Sequence, residues 1–264
     1  MNPSNDPFQQ PAHTPQPFGV DGTSLHEWQN SPSLRSVAPI SLEALVPQGS
    51  RLLVLAPHPD DEILACGGLL TAMARRQDDV HLIAVTDGEG SHPGSSLWPP
   101  SRLRTERHLE SERALACLGY DVSQLVWQRL GMIDGQVQNS AQTLIALLSE
   151  DLRPNDVVLS TWRHDGHCDH EAVGHCAAQA VANSGARLLE MPVWAWHWAQ
   201  PDDPRIPWAQ ARKLMLTDHQ LERKRQAICA HTTQLQSDPS TGEPPVLNAA
   251  TLERLMQPFE LVFL

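Results

Sequence analysis

Positive charge is scarce in this chain: 19 lysines and arginines stand against 31 aspartates and glutamates, a formal net charge of −12. That balance disfavours nucleic acid and anionic membrane surfaces as partners. No lysine or arginine precedes Arg35, and no apolar stretch approaches the roughly 18 residues of a membrane span. Neither a signal peptide nor a membrane span is therefore expected, and the expected setting is the cytoplasm. The five cysteines (Cys66, Cys117, Cys168, Cys176 and Cys229) contain no CxxC pair and are odd in number. They fit reduced, mostly buried thiols. Glycine-rich GxGxxG and P-loop patterns are also missing, which argues against nucleotide binding. Tyrosine is nearly absent, one residue against eight tryptophans.

What the chain does have suffices for one α/β domain and is short for two, with 264 residues of which 41% are hydrophobic. Residues 1–50 read differently from the remainder. The first 18 carry five prolines and three glutamines, the composition of a tail or extended arm. Leu25, Trp28, Leu34 and a short helix at Ser41–Leu45 give the rest of this segment enough apolar surface to drape over a domain. From residue 51 onward, apolar runs at 52–56, 81–86, 124–128, 156–161, 188–194 and 213–216 read as strands. Helical periodicity occupies 62–76, 102–118, 140–152, 170–183 and 218–231. The alternation predicts a single α/β domain, 51–264, with a Rossmann-like, mostly parallel sheet and helices on both faces. A terminal run at Phe259–Leu264 is expected to add an edge strand, and Gly67-Gly68 to let a helix pack closely on the sheet.

Two clusters carry chemistry. Pro57-His58-Pro59-Asp60-Asp61-Glu62 follows the apolar run Leu52–Ala56, so polar side chains arrive at the C-terminal tip of a buried strand, where open α/β sheets place their ligands. One imidazole and two adjacent carboxylates can divide metal binding from proton transfer, although an Asp before a helix is also an ordinary cap. Arg163-His164-Asp165-Gly166-His167-Cys168-Asp169-His170 repeats the arrangement after Asp156–Trp162. If the two strands are parallel neighbours, both loops face one crevice.

These two motifs, Pro-His-Pro-Asp-Asp-Glu and a later His-x-Asp-His, resemble the PIG-L/LmbE family of zinc-dependent N-deacetylases. The resemblance continues at Thr86-Asp87-Gly88-Glu89-Gly90, at Arg107-x-x-Glu110 with Ala114 and Leu118-Gly119, and at Asp134-Gly135 after Leu130-Gly131-Met132-Ile133. It reaches Lys224-x-x-Ala227 with His231 and Gln234, and so spans roughly residues 50–240. Cys168 departs from the pattern, standing where the family commonly has proline.

The resemblance implies His58, Asp61 and His170 as ligands of Zn2+, with Fe2+ as an alternative ion. Two imidazoles and one carboxylate leave a fourth position for water, the pattern of a catalytic zinc. It implies Asp60 as general base and His167 as the group facing the substrate carbonyl, with Asp169 orienting one histidine from behind. Arg107 and Asp134 match positions near the substrate's polar groups. The segment Trp194-Ala195-Trp196-His197-Trp198 reads by its alternation as a strand or loop with its indoles on one side. Trp196 there is a candidate for stacking on a sugar, against core packing or an oligomer contact. The implied partner is a small-molecule N-acetylated sugar conjugate, with a homo-oligomer left open. The competing readings are an amidase cleaving a different amide and a non-catalytic sugar- or nucleotide-binding α/β protein.

Overall fold

The structure, a computed structural model, describes residues 22–182 and 184–264. The proline-rich stretch 1–18 falls outside them. Three short helices, α1 (Leu25–Asn30), α2 (Pro32–Ser36) and α3 (Leu42–Leu45), lead in, with a two-residue strand β1 (Pro39–Ile40) between the last two. The sequence then alternates through β2 (Leu52–Ala56), α4 (Asp61–Met73), β3 (Val80–Thr86), α5 (Pro100–Leu118), β4 (Val126–Met132), α6 (Ala141–Asp151), β5 (Val157–Thr161), α7 (Cys168–Val181) and β6 (Arg187–Met191). The remainder comprises α8 (Ala195–Trp198), β7 (Ala211–Met215), α9 (Asp218–Cys229), α10 (Thr232–Leu235), α11 (Ala249–Leu255) and β8 (Phe259–Phe263).

The eight strands form one sheet in the order β1-β7-β8-β6-β5-β2-β3-β4. β2 pairs in parallel with β3 on one side and β5 on the other, so the chain reverses its direction of travel across the sheet between them. That reversal opens a crevice at the carboxyl ends of β2 and β5, and both histidine-bearing loops leave from there. The expectation of neighbouring parallel strands is met.

Period-two alternation along β2 decides which helices go where. Leu52, Val54 and Ala56 point into a core shared with α4, α5 and α9, whereas Leu53 and Leu55 meet α6 and α7 on the opposite face. All five residues are buried, as a central parallel strand covered on both faces requires. Trp28 is 0% exposed and donates its indole N–H to the Trp196 carbonyl at 2.9 Å, so the N-terminal helices are sealed onto the domain.

Two expectations need correction. The C-terminal run forms no edge: β8 lies between β6 and β7, antiparallel to both, because a strand arriving from α11 meets β7 in reverse. The tryptophan-rich segment is the one-turn helix α8, where successive side chains fan around the axis instead of alternating. Only Cys66 and Cys176 are buried among the thiols; Cys117 is half-buried, and Cys168 and Cys229 are exposed.

Gly67 and Gly68 serve close packing, but against α9 and Leu216 just beyond β7, not against a strand of the sheet. A Cβ on Gly67 would lie 3.0 Å from Lys224 Cγ of α9, and one on Gly68 would collide with Leu216. The helix is also broken there, since Cys66 has φ −139° and ψ 24°. The freed amides of Gly68 and Leu69 donate to the Glu260 carboxylate of β8 at 2.7 and 2.8 Å. Lys224 Nζ donates to the same carboxylate at 2.8 Å, and both side chains are 1% exposed. Lys224→Met leaves this buried carboxylate without its cation and should cost about 3–5 kcal/mol, read as a lower denaturant midpoint. An unchanged midpoint contradicts this account of the kink.

Candidate active site

The loop after β2 turns sharply into α4. Asp60, the residue before the helix, has φ 134°, a conformation that non-glycine side chains rarely adopt. Surrounding contacts hold it there. Asp60 donates its amide to Glu62 Oε2 at 3.2 Å, and Arg107 Nη2 reaches both Asp60 Oδ2 at 3.1 Å and the Pro59 carbonyl at 2.7 Å. Arg107 Nη1 donates to the Gly88 carbonyl at 2.8 Å, and a Cβ on Gly88 would strike the guanidinium. Glycine at 88, with φ +65°, is thus required twice over.

Asp61, at the first helical position, aims Oδ2 at two imidazoles, 3.1 Å from His58 Nδ1 and 3.2 Å from His170 Nε2. Which ring nitrogens carry protons follows from the neighbours. His170 Nδ1 donates to Asp165 Oδ2 at 2.6 Å, so its Nε2 presents a lone pair. His58 Nε2 lies 3.1 Å from Asp169 Oδ2 and 3.2 Å from Asp134 Oδ1, and donates there, so its Nδ1 presents one as well. In their neutral forms both imidazoles therefore turn a lone pair towards Asp61 Oδ2, and ring nitrogens of His58, His167 and His170 lie within 4.8 Å of one another. Donors bound tetrahedrally to zinc at ~2.0–2.1 Å sit about 3.3 Å from each other, close to the spacings seen here. The donor set fits a divalent ion.

These lone pairs belong to the neutral rings an ion requires; without it the surrounding carboxylates favour a second proton on each imidazole, which metal binding would displace. Burial disfavours a charged His170, yet Asp61 and Asp165 outweigh it and raise the imidazole to about 9. His58 is lifted against the same penalty by Asp134, Asp169 and Asp61. Burial would raise the Asp61 carboxyl, but His170 and His58 hold it well below the usual range. Asp60 next door goes the other way: burial raises it, with Arg107 only limiting the rise. Adjacent carboxylates with opposite shifts suit different tasks, one as an anchor and one as a proton carrier.

The remaining sequence-predicted residues fall in distinct places. His167 caps α7, its Nδ1 accepting the Asp169 amide at 3.2 Å, and its ring lies 4.8 Å from His58 and 4.7 Å from His170 between centroids. That bond leaves Nε2 as the protonated nitrogen of the neutral ring. Burial and the two neighbouring histidines push His167 down to about 4, so at neutral pH it is an uncharged donor. Asp169 accepts the amides of Gly135 and Val137 while holding His58. Asp134 accepts the Gly90 amide at 2.8 Å and also faces His58. Arg107 is 2% exposed, so it stands behind Asp60 and does not line the crevice. Trp196 packs edge-on against Trp28 at 5.0 Å and belongs to the core.

Asp165 is the important residue that carried no role in the sequence reading. Fully buried, it takes three backbone amides, those of Val193, Trp194 and Ala195, in addition to His170 Nδ1. It thereby fixes the ring and anchors the turn into α8. The only hint was its place inside the second cluster, five residues before His170.

An α/β sheet whose switch point gathers a cation-attracting histidine–aspartate centre is the class this fold and site define. Residues 53–181 match the family model described as PIG-L: GlcNAc-PI de-N-acetylase. The chain is 29% identical over 178 residues to the 1D-myo-inositol 2-acetamido-2-deoxy-alpha-D-glucopyranoside deacetylase of Mycobacterium sp. (strain KMS), covering 60% of this chain and 56% of that protein. The chain thus spans little more than half of that relative. The similarly named enzyme of Rhodococcus jostii (strain RHA1) is 26% identical over 255 residues, 75% of this chain and 86% of the relative. The N,N'-diacetylchitobiose deacetylase from Pyrococcus horikoshii shares the fold, with a TM-score of 0.55 at 20% identity over 72% of this chain and 73% of that one. Residues 53–181, just under half of the chain, are thus similar to the PIG-L family.

His231, behind the centre, is 1% exposed with neither ring nitrogen hydrogen-bonded. Burial, helped by the Arg107 charge, pushes it down to about 3. The unfolded chain, with a histidine near 6.5, then binds the proton more readily, so stability falls as pH drops below ~6.5 and is unaffected above it. His231→Phe should remove this component. Between pH 7.5 and 5 the wild type should lose about 2 kcal/mol more than the variant, measured by urea unfolding; equal losses contradict the buried neutral imidazole.

Proposed function

We propose that this protein is a metal-dependent hydrolase that removes the N-acetyl group from an amino-sugar-containing small molecule, with zinc as the ion. The observation that carries the reading is the placing of Asp61 Oδ2 3.1 Å from His58 Nδ1 and 3.2 Å from His170 Nε2. The match of residues 53–181 to the PIG-L family model and the printed activities of the mycobacterial and rhodococcal relatives support the substrate class.

In this reading His58, Asp61 and His170 hold the ion, which when bound polarises an amide carbonyl and lowers the pKa of a coordinated water towards ~7. Asp60, adjacent to the ligands and raised by burial, accepts the proton from the attacking water. Arg107 keeps its carboxylate in place through the Oδ2 contact and the Pro59 carbonyl. The neutral His167 Nε2–H would donate a hydrogen bond to the oxygen that gains negative charge, and the proton accepted by Asp60 would pass on to the departing amine. Asp134 and Asp169 keep the His58 tautomer, and Asp165 keeps that of His170. Acetate and a free amine leave. A different acyl group on the same nitrogen would meet the same machinery, so the amidase reading shares this mechanism and differs only in product.

Asp60→Asn should bind zinc with wild-type stoichiometry while kcat on an N-acetylglucosamine conjugate falls ~100-fold or more, followed by acetate release. Retained turnover removes Asp60 from the mechanism. Asp165→Asn should weaken zinc ~10–100-fold by disturbing the His170 tautomer, measured by competition with a chelating dye. Unaltered affinity contradicts that role.

A further inference from the structure

The first turn of α7 brings together a second set of donor atoms, of mixed chemistry, beside the His58–Asp61–His170 centre. A ring nitrogen of His167, the thiol of Cys168 and a carboxylate oxygen of Asp169 all lie within 4.8 Å of one another. Cys168 Sγ is 3.9 Å from Asp169 Oδ1 and 4.0 Å from the carbonyl oxygen of Gly135. Sulfur and nitrogen or oxygen donors on one tetrahedral zinc, with bonds of ~2.3 and ~2.0–2.1 Å, are separated by roughly 3.6 Å. For the Cys168–Asp169 pair the excess is a few tenths of an ångström, and the His167 nitrogen lies within 4.8 Å of both. Cys168 is exposed, so its side chain turns without repacking and an ion reaches it directly from solvent.

We propose that His167, Cys168 and Asp169 form a second, weaker site for a thiol-seeking divalent ion such as zinc, and that its occupancy silences the neighbouring centre. The site is weaker because Asp169 is already engaged: Oδ1 accepts the Val137 amide, and Oδ2 accepts the Gly135 amide and faces His58. Cysteine binds as the thiolate, so its proton passes to the solvent on loading. A ring nitrogen of His167 given to this ion takes the imidazole away from the substrate carbonyl. The inhibitory consequence rests on the His167 role proposed above; the binding itself does not. Hard ions such as magnesium, which favour oxygen ligands, leave the site empty.

Cobalt(II) separates the two claims. The full chain is loaded with one equivalent of Zn2+ and then titrated with Co2+, following the near-ultraviolet thiolate-to-cobalt absorption. Wild type should develop this band at the second equivalent. Cys168→Ser should lose the band and bind the second ion more weakly by over ~10–100-fold, the cost of losing only a residue behind a ligand. Cys229→Ser should match wild type, excluding the other exposed thiol. Hydrolysis by wild type should fall as excess zinc loads the second site, and Cys168→Ser should stay active at the same free zinc. A band that persists in Cys168→Ser, or no second equivalent, overturns the proposal. Should no substrate be hydrolysed at any zinc level, the cobalt band still decides the site while the deacetylase reading fails alone.

Discussion

One carboxylate oxygen facing two imidazole lone pairs is the constraint on which the site depends. Asp61 Oδ2 stands 3.1 and 3.2 Å from the two nitrogens, an approach that a proton on each ring or a shared divalent ion makes favourable. Everything around it sets the direction of those lone pairs. Asp165 takes the Nδ1 proton of His170, while Asp134 and Asp169 take the Nε2 proton of His58. Exchanging either tautomer would turn an N–H towards the centre and abolish the convergence. The backbone amides that Asp165 and Asp169 accept tie these carboxylates to the α8 turn and the Gly135–Val137 turn. Ligand orientation is therefore a property of the fold.

The same economy governs Asp60. A non-glycine residue at φ 134° costs roughly 1–3 kcal/mol, and Arg107, the Pro59 carbonyl and the Glu62 carboxylate offset it locally. Further along α4, the break at Cys66 lets the first turns point at the crevice while the rest packs against α9. Glu260 takes up the amides that the break releases, and Lys224 neutralises Glu260. A strand from the C-terminus and a helix from the last third of the chain thus hold the helix that carries Asp61. This long-range tie gives Lys224 a structural reason to accompany the histidine motifs.

Much of the architecture was legible in the sequence because buried parallel strands advertise themselves. Leu52–Ala56 is a continuous apolar run and Val157–Leu159 a shorter one, and a polar cluster follows each strand. Ligand types and spacing made His58, Asp61 and His170 visible, and parallel pairing of β2 with β5 supplied the missing proximity. Other features had no local signal. Alternating tryptophans at 194–198 read as a strand, whereas Asp165, which caps the turn with three amide bonds, winds them into α8. Nothing in Phe259–Leu264 says that it enters the sheet interior; that follows from where α11 ends. The resemblance put Arg107 near a substrate's polar groups, whereas its bonds to the Gly88 and Pro59 carbonyls turn it inward.

The account stands or falls on an ion seated at that convergence. Crystals grown with zinc and measured at the zinc absorption edge provide the direct test. The prediction is a single strong anomalous peak ~2.0–2.2 Å from His58 Nδ1, Asp61 Oδ2 and His170 Nε2. A map with no peak there, or with His58 and His170 turned to separate partners, contradicts it.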